Sequence, residues 1–246
     1  YYIRLDLATM LIEDKQYSEA IKMFAYLDND NDTPAWVQQL AKEYIAELEK
    51  TYSLDLKLGG GFYRNTNVNQ ASSARTIELW GITFDKDEDS LPKTGHGLNY
   101  AVSLSKLMPI KRNHSIITEA RYSGTYYWDQ KKYNEAILRL NPAYLYQDFN
   151  QWLKVGPVYE KTWLGKKQYG EKLGAQAEFG KQITPKQYLI PYFNYEHKLY
   201  NDSRLNSYEG NNYRGGITWL YQPRAGVFLA VKGQHQRDSL RDKSES

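Results

Sequence analysis

Hydrophobic residues recur along the chain with two different periods. Residues 2–29 place them at helical spacing, at Leu7, Met10, Leu11, Ile21, Phe24 and Leu27. The polar run Asp14–Ser18 divides this segment into two helices. Pro34 suits the first turn of a third helix over 35–50, with its buried side at Trp36, Val37, Leu40, Tyr44, Ile45 and Leu48. From Tyr52 onward the period is two, which is typical of strands.

Nine runs of alternating residues predict nine antiparallel strands. The first places Leu54, Leu56 and Leu58 on one face and Asp55 and Lys57 on the other. Tight turns are predicted at 109–113, 148–150, 184–186 and 223–225. Longer or more polar connections are predicted at 65–97, 129–133, 165–170 and 201–212. Short turns at one end and longer loops at the other are typical of an outer-membrane β-barrel.

Aromatic residues collect near both ends of the predicted strands. Tyr126, Trp128 and Trp163 lie toward the longer connections, and Tyr144 and Tyr188 toward the tight turns. Such rings favour the two interfaces of a bilayer. A soluble β-protein has no need of two aromatic girdles, so we predict a mainly β protein with an antiparallel transmembrane β-barrel. A soluble β-domain bound to a scaffold remains the non-membrane alternative.

Two features suggest that the sequence is part of a longer protein. The helical pattern begins at Tyr1 without an initiator Met, so the lack of a signal peptide carries no information about the compartment. Nine is an odd number of strands, and 239–246 resembles the start of another long loop. We therefore expect 1–50 to be the end of a helical domain and 51–246 a barrel domain whose C-terminal strands are missing.

Three prolines interrupt the predicted outward-facing rows. Pro142, Pro157 and Pro191 each remove a ladder donor, and a tight turn at 148–150 would place Pro142 nearly opposite Pro157. We expect a local bulge at these positions. The alternative is a weak ladder segment where the wall parts.

Composition excludes several classes of function. The net charge of +3 lacks the basic excess of a dedicated nucleic-acid binder. No apolar run approaches the roughly 18 residues that a transmembrane helix needs. The absence of Cys excludes disulfides, thiolate zinc sites and cysteine nucleophiles. We expect no catalytic site, cofactor or metal, because no ligand spacing connects the four histidines, His96, His114, His197 and His235.

The segment from Leu58 to Ala71 carries a recognisable pattern. Three glycines, Gly59–Gly61, lead into Asn67, Val68 and Asn69, directly after helices with tetratricopeptide-like residues such as Ala8, Ala20 and Phe24. This arrangement resembles the surface lipoprotein assembly modifier (Slam) family over essentially the whole chain. The helical pair alone is equally compatible with an ordinary helical hairpin that binds no partner.

The resemblance implies a barrel of fourteen strands, of which about five would be absent here. It also implies an outer-membrane translocon that delivers lipoproteins, or related soluble haem- and metal-acquisition proteins, to the surface of Gram-negative bacteria. The helices would then lie in the periplasm and engage the client or its chaperones, and the barrel would contact outer-membrane lipid. No nucleic acid is expected as a partner.

The polar rows are the candidates for the lining of a lumen. They mix both signs of charge, which suits a polypeptide client better than a pore for one type of ion. The same side chains would also solvate and rigidify the interior through ion pairs. The candidates are Asp55, Lys57, Glu119, Arg121, Arg139, Glu160, Glu178, Glu196, Lys198, Arg214 and Lys232.

Two other kinds of porin compete with the translocon. An exopolysaccharide export porin also joins tetratricopeptide repeats to a barrel, whereas a passive diffusion porin needs no periplasmic repeat. The long connection 65–97 adds an open question. Its apolar middle, 76–84, would fold inward as a partial plug or rise outside as a hairpin, with a solvated tip at 85–89.

Overall fold

Residues 1–240 are described by a computed structural model, which has three helices followed by a large antiparallel sheet. The helices are α1 (Tyr2–Glu13), α2 (Tyr17–Asn29) and α3 (Ala35–Thr51). The first strands are β1 (Asp55–Asn65), β2 (Thr76–Leu79), β3 (Ile82–Asp85) and β4 (Gly95–Lys111). They are followed by β5 (His114–Tyr127), β6 (Glu135–Gln147), β7 (Gln151–Leu164), β8 (Lys167–Thr184), β9 (Gln187–Tyr200), β10 (Gly210–Arg224) and β11 (Val227–Leu240).

The main sheet has nine strands in the order β1, β4, β5, β6, β7, β8, β9, β10 and β11. The predicted mainly β architecture, with nine antiparallel strands after N-terminal helices, is confirmed. Among residues 1–240, β1 and β11 are not paired, so the sheet is open. The last six residues of the loop predicted over 239–246 lie outside the described part of the chain, and Ser239 and Leu240 belong to β11.

The helices share a conventional hydrophobic core. Ala8 and Ala20 are fully buried, because small side chains let α1 and α2 approach closely. Phe24 is also fully buried and stacks on Tyr44 of α3, with ring centroids 4.8 Å apart. The prediction that Trp36 is buried was wrong. Its side chain is 56% exposed, and its ring meets the edge of Tyr1 at 6.3 Å instead of entering the core.

All four predicted tight turns are present. The chain reverses between β4 and β5, β6 and β7, β8 and β9, and β10 and β11 within three residues or fewer. The prediction of a longer connection over 165–170 was wrong, because Gly165 and Lys166 alone join β7 to β8. Both have positive φ, +55° and +73°, which fits the mirror-image turns that match the twist of a hairpin.

The bulge expected at Pro142 and Pro157 is also absent. β6 and β7 pair from Glu135↔Leu164 to Leu140↔Tyr159 and again from Tyr144↔Val155 to Gln147↔Trp152. The register is the same on both sides of the interruption, so no residue has been inserted. Residues 141–143 and 156–158 face each other without ladder pairs.

One short turn between helices contacts the sheet. Asp14, between α1 and α2, accepts hydrogen bonds from Asn113 Nδ2 at its carbonyl oxygen (2.6 Å) and from the Phe149 amide at its carboxylate (3.3 Å). Asn113 and Phe149 belong to the tight turns that follow β4 and β6. The helices are therefore attached to the tight-turn end of the sheet. No helix among residues 1–240 is long and apolar enough to cross a membrane.

Candidate functional site

The strand register brings the polar candidates to one face of the sheet. Directly paired residues share a face, and one row runs from Lys57 through Ser103, Arg121 and Arg139 to Glu160. The pairings continue across the remaining strands with the same alternation. All eleven candidates therefore lie on this face, which we call the polar face. They are Asp55, Lys57, Glu119, Arg121, Arg139, Glu160, Glu178, Glu196, Lys198, Arg214 and Lys232.

The polar face is concave. Arg139 on β6 donates a hydrogen bond to Glu196 on β9 at 3.0 Å, although two strands lie between them. Neighbouring strands are about 4.8 Å apart and side chains stand roughly perpendicular to a sheet, so such tips meet only where the face curves inward. Lys154 and Glu119 also meet across one intervening strand, at 2.7 Å. On the opposite face, by contrast, Tyr195 and Asn211 join adjacent strands.

An ion-pair network occupies the middle of the polar face. Glu160 is only 8% exposed and accepts hydrogen bonds from Arg139 (2.8 Å) and from Lys172. Arg139 is shared with Glu196, so the network links β6, β7, β8 and β9. The two cationic partners offset the free energy that is needed to bury the Glu160 carboxylate. Without them, a buried charge would be left unpaired, which would strongly destabilise the fold. Lys154 and Lys172 were not among the predicted site residues, although the alternation places Lys154 on the face of Glu160 and Lys172 on the face of Glu178.

Charges of opposite sign separate into adjacent rows. One row is mainly basic, with Arg121, Arg139, Lys172 and Lys198. The next row is acidic, with Glu119, Glu196 and Asp238 in register. Lys198 pairs with Asp238 at 3.1 Å across this boundary. Within the described residues, Arg121 and Glu178 have no ion-pair partner, so their charges are available to a ligand.

The opposite face is apolar and exposed. Leu58, Leu173 and Phe193 have relative exposures of 73%, 60% and 49%. Contiguous apolar surface of this extent on a sheet marks a contact with lipid or with another macromolecule. The two faces therefore suit two different environments, a polar one on the concave side and an apolar one on the convex side.

The Asn67–Val68–Asn69 segment fastens the base of the long connection between β1 and β4. The Asn67 side chain donates to the Ala71 carbonyl (2.8 Å) and accepts from the Ala71 amide (2.9 Å). Asn69 donates to the Leu91 carbonyl (2.8 Å) and accepts from the Lys93 amide (2.9 Å), which closes the connection. We call this arrangement the asparagine clasp.

Val68 sets the position of the clasp above the polar face. It is 9% exposed, and a Cβ at Gly95 would lie 2.7 Å from Val68 Cγ1 and 2.9 Å from the Tyr127 ring. Only glycine fits there. The clasp borders a cavity of about 500 Å³ at this end of the polar face, lined by Tyr63, Thr125 and Glu135 among others. The base of the connection thus narrows one end of the concave surface.

The middle of the same connection forms a hairpin of β2 and β3. Its pairings put Ile77, Ile82 and Phe84 on one face, opposite the polar residues. These three apolar side chains are exposed, Ile82 by 58%. The middle of the connection is therefore a hairpin, as in one of the two conformations considered for 76–84.

The histidines are dispersed and have local partners. His96 Nδ1 lies 2.8 Å from Asp129 Oδ2, and the His96 amide donates to Asp129 Oδ1 at 2.9 Å. These hydrogen bonds, the backbone one above all, hold the pKa of Asp129 below its ordinary value. His114 contacts Tyr144, and His197 contacts Asn211. No group of three or more His, Asp or Glu in residues 1–240 is arranged to hold a metal ion.

Comparisons with known proteins agree with this architecture. The chain is 27% identical to the surface lipoprotein assembly modifier of Pasteurella multocida over 98% of the chain and 48% of that protein. It is 27% identical to surface lipoprotein assembly modifier 1 of Haemophilus influenzae over 83% of the chain and 42% of that protein. It is 25% identical to the hemophilin secretion modulator of Acinetobacter baumannii over 71% of the chain and 38% of that protein.

The chain thus spans about half the length of the curated relatives it matches, or less. No solved structure matches it significantly. The sequence model of the family described as surface lipoprotein assembly modifier matches residues 55–246, which include all nine strands of the main sheet. The chain belongs to the surface lipoprotein assembly modifier family.

Proposed function

We propose that this protein is an outer-membrane translocon that delivers lipoproteins, or related haem- and metal-acquisition proteins, to the surface of a Gram-negative cell. The open sheet is then part of a barrel wall, with its apolar convex face toward lipid and its polar face toward the passage. The observation that carries the proposal is the concave polar face, with its rows of opposite charge, in a member of this family. Related proteins named as lipoprotein assembly modifiers and a hemophilin secretion modulator support the same class of client.

The mechanism is a guided passage rather than catalysis. A polypeptide in transit exposes peptide groups and charges of both signs, and adjacent basic and acidic rows offer partners to both. Most charges on the polar face already have a partner, so client contacts exchange one ion pair for another and remain weak enough to release. Arg121 and Glu178 lack such partners and are therefore the first contact sites of the lining.

The helices belong on the periplasmic side in this arrangement. They precede β1 and contact the tight turns through Asp14, and short turns face the periplasm in outer-membrane barrels. From that position α1, α2 and α3 receive the client, directly or from a chaperone, at the entrance to the passage.

Site-specific photo-crosslinking in cells tests this function. A photoreactive amino acid replaces Arg121 or Glu178 in the complete protein, and trapped material is identified by mass spectrometry. Matched controls replace the next residue along each strand, Tyr122 and Ala177, which the register places on the convex face. We expect a lipoprotein or secreted haem-binding protein at Arg121 and Glu178, and lipid at the controls.

Other results of the crosslinking experiment would indicate a different function. Glycan trapped at Arg121 and Glu178 would indicate an exopolysaccharide export porin. Lipid trapped at all four positions would mean that the polar face does not line a passage. Recovery of the protein in soluble form without detergent would favour a soluble β-domain instead.

A further inference from the structure

The backbone ladder is interrupted at a seam between β6 and β7, over three residues of each strand, and a shorter interruption lies between β8 and β9, at 179–180 and 190–191. Pro142 lies opposite Pro157 in an unshifted register, and no ladder pairs form over 141–143 and 156–158. Because proline has no amide N–H, neither residue is able to donate a ladder hydrogen bond to the other. Each proline keeps its other neighbour, Pro142 pairing with Thr118 and Pro157 with Ala175. At Pro142 and Pro157 the interruption therefore lies between β6 and β7, and the ladders of these residues with β5 and β8 are intact.

The polar face becomes apolar at this seam. Ala143 and Val158 point to the polar face beside the gap and are 3% and 1% exposed. Ala143 pairs with Ile117, which pairs with Leu107, so an apolar row leads across two strands to the gap. On the convex side, Tyr144 and Val155 flank the prolines and are about two-fifths exposed, 39% and 41%. Apolar side chains thus lie on both faces of the wall at the interrupted ladder.

An ion pair covers this apolar row on the concave side. Lys154 Nζ on β7 lies 2.7 Å from Glu119 Oε2 on β5. Glu119 is paired with Asn141 and Lys154 with Leu145, so the bridge between them passes over Ala143. Ala143 also packs closely against Gly156, where an added Cβ would lie 2.8 Å from Ala143 Cβ, and the two contacts together make its side chain almost inaccessible. Displacement of the Lys154 ammonium group would uncover the row.

We propose that the seam between β6 and β7 is a lateral site for the acyl chains of a lipoprotein client, resting on the function proposed above. Methylene groups avoid a polar, hydrated lining, and the row at Leu107, Ile117 and Ala143 offers them apolar contact. The seam is also where separating two strands breaks the fewest ladder bonds. The acyl chains enter along this row, below the Lys154–Glu119 bridge, and leave between Pro142 and Pro157 toward the bilayer. The polypeptide of the client keeps to the charged rows.

Restoring the missing donors tests the seam. The variant Pro142→Ala/Pro157→Ala returns two amide groups to facing positions. Amide hydrogen exchange at residues 140, 144, 155 and 159, whose N–H groups point across the seam like those restored, should slow by roughly tenfold or more. The matched control is Pro191→Ala. Pro191 also lies in an outward-facing row, on β9, beside the shorter interruption of the β8–β9 ladder, and it keeps its pair with Ile217 on β10.

Delivery is then measured for two forms of one client, the lipoprotein and a secreted form in which its acylated cysteine is replaced. We expect the double variant to lose delivery of the lipidated form and to keep delivery of the unlipidated form, with both delivered by Pro191→Ala. Unchanged delivery of the lipidated form, or equal loss of both forms, overturns the acyl site. Failure of the unaltered protein to deliver either form would instead refute the proposed translocon.

A labelling experiment tests the binding of acyl chains at the seam directly, without a measurement of client delivery. The complete protein in vesicles is irradiated with a synthetic triacylated lipopeptide that carries a diazirine in one acyl chain. We expect labelled peptides from 140–146 and 153–159, and weaker labelling in the double proline variant. A diazirine-bearing phospholipid is the second arm. Labelling of the seam by phospholipid but not by the lipopeptide would assign the gap to bulk lipid and overturn the proposal.

Discussion

The helical region and the sheet differ in how far they bury their apolar side chains. In the helices, Phe24, Leu27 and Val37 are fully buried, and the core excludes water without help from any partner. The much larger sheet fully buries almost none of its large apolar side chains among the described residues, and leaves Leu58 and Phe228 about three-quarters exposed, 73% and 76%. The same chain therefore contains a unit with its own core and a unit whose apolar surface needs an external partner.

The difference teaches which interactions hold each region together. Helices depend on packing, since short isolated helices are marginal in water. The sheet depends on continuous ladders between neighbouring strands and on ion pairs across its concave face, such as Arg139–Glu160. A lipid environment strengthens such a sheet, because its backbone groups have no water to exchange with.

The largest expected effect is in the helical core. Phe24→Ala leaves a cavity and loses the stacking on Tyr44, so the helices should lose about 3–5 kcal/mol of stability. Chemical denaturation, monitored by hydrogen exchange of residues 1–51, measures this loss of stability. The control is Tyr26→Ala, whose side chain is 53% exposed and which should cost about 1 kcal/mol or less. Simultaneous unfolding of the sheet would contradict the division into two independent modes of burial.

A matched pair on β4 tests the faces of the sheet. Val102 pairs with Leu58 and Tyr122 on the convex face, whereas Ser103 pairs with Lys57 and Arg121 on the polar face. Val102→Glu should cost on the order of 2 kcal/mol in lipid, because it buries a carboxylate in an apolar layer. Ser103→Glu gains two cationic neighbours and should cost little. Urea unfolding in vesicles measures both, and equal effects would show that the faces do not differ in environment.

A smaller effect is expected where the two regions meet. Asp14→Ala removes the carboxylate that accepts the Phe149 amide and so weakens the attachment of the helices by about 1 kcal/mol. The distance between spin labels on α2 and on the turn after β6 should broaden in distribution. Asp6→Ala, an exposed position on α1, serves as the control and should leave the distribution narrow. Broadening by both variants would indicate a general loosening of α1.

The smallest effect is a pH dependence confined to one loop of the sheet. Asp202 accepts hydrogen bonds from the Arg204 side chain and from the Arg204 backbone amide. These bonds hold the pKa of the Asp202 carboxyl at about 2, below the ordinary value of 3.8. Because the pKa of Asp202 is lower in the folded state, its ionised carboxylate stabilises the loop at every pH above the pKa of the unfolded chain. This contribution is lost as the pH falls from about 4 to 2. The Arg204 amide signal in NMR should shift over this range and stay constant in Asp202→Asn. A matching transition in the helices would mean that the loop is not titrating alone.

The sequence predicts the features that depend on local alternation. Lys57, Arg121 and Glu160 are placed correctly on one face because the period of two persists through every strand. The turn at Gly165–Lys166 escapes prediction because the polar residues that follow, Lys167 and Gln168, look like loop residues but extend β8. Periodicity carries no signal where a strand leaves the apolar layer.

Contacts between distant strands are beyond local patterns. The meeting of Arg139 with Glu196 depends on the curvature of four strands, and nothing near either residue specifies it. The same holds for Asp14, whose partners lie 99 and 135 residues away. The proline pair was recognised, but only the register on both sides of the gap distinguishes an interrupted ladder from the bulge that was expected.

The asparagine clasp has a consequence for how the exposed connection changes over time. Because Asn69 forms hydrogen bonds with Leu91 and Lys93, the residues from 70 to 90 are held at both ends, whatever their own sequence is. The sequence of the hairpin is then free to change while β1 and β4 keep their register. The same anchoring makes the hairpin a natural position for inserting an epitope or affinity tag.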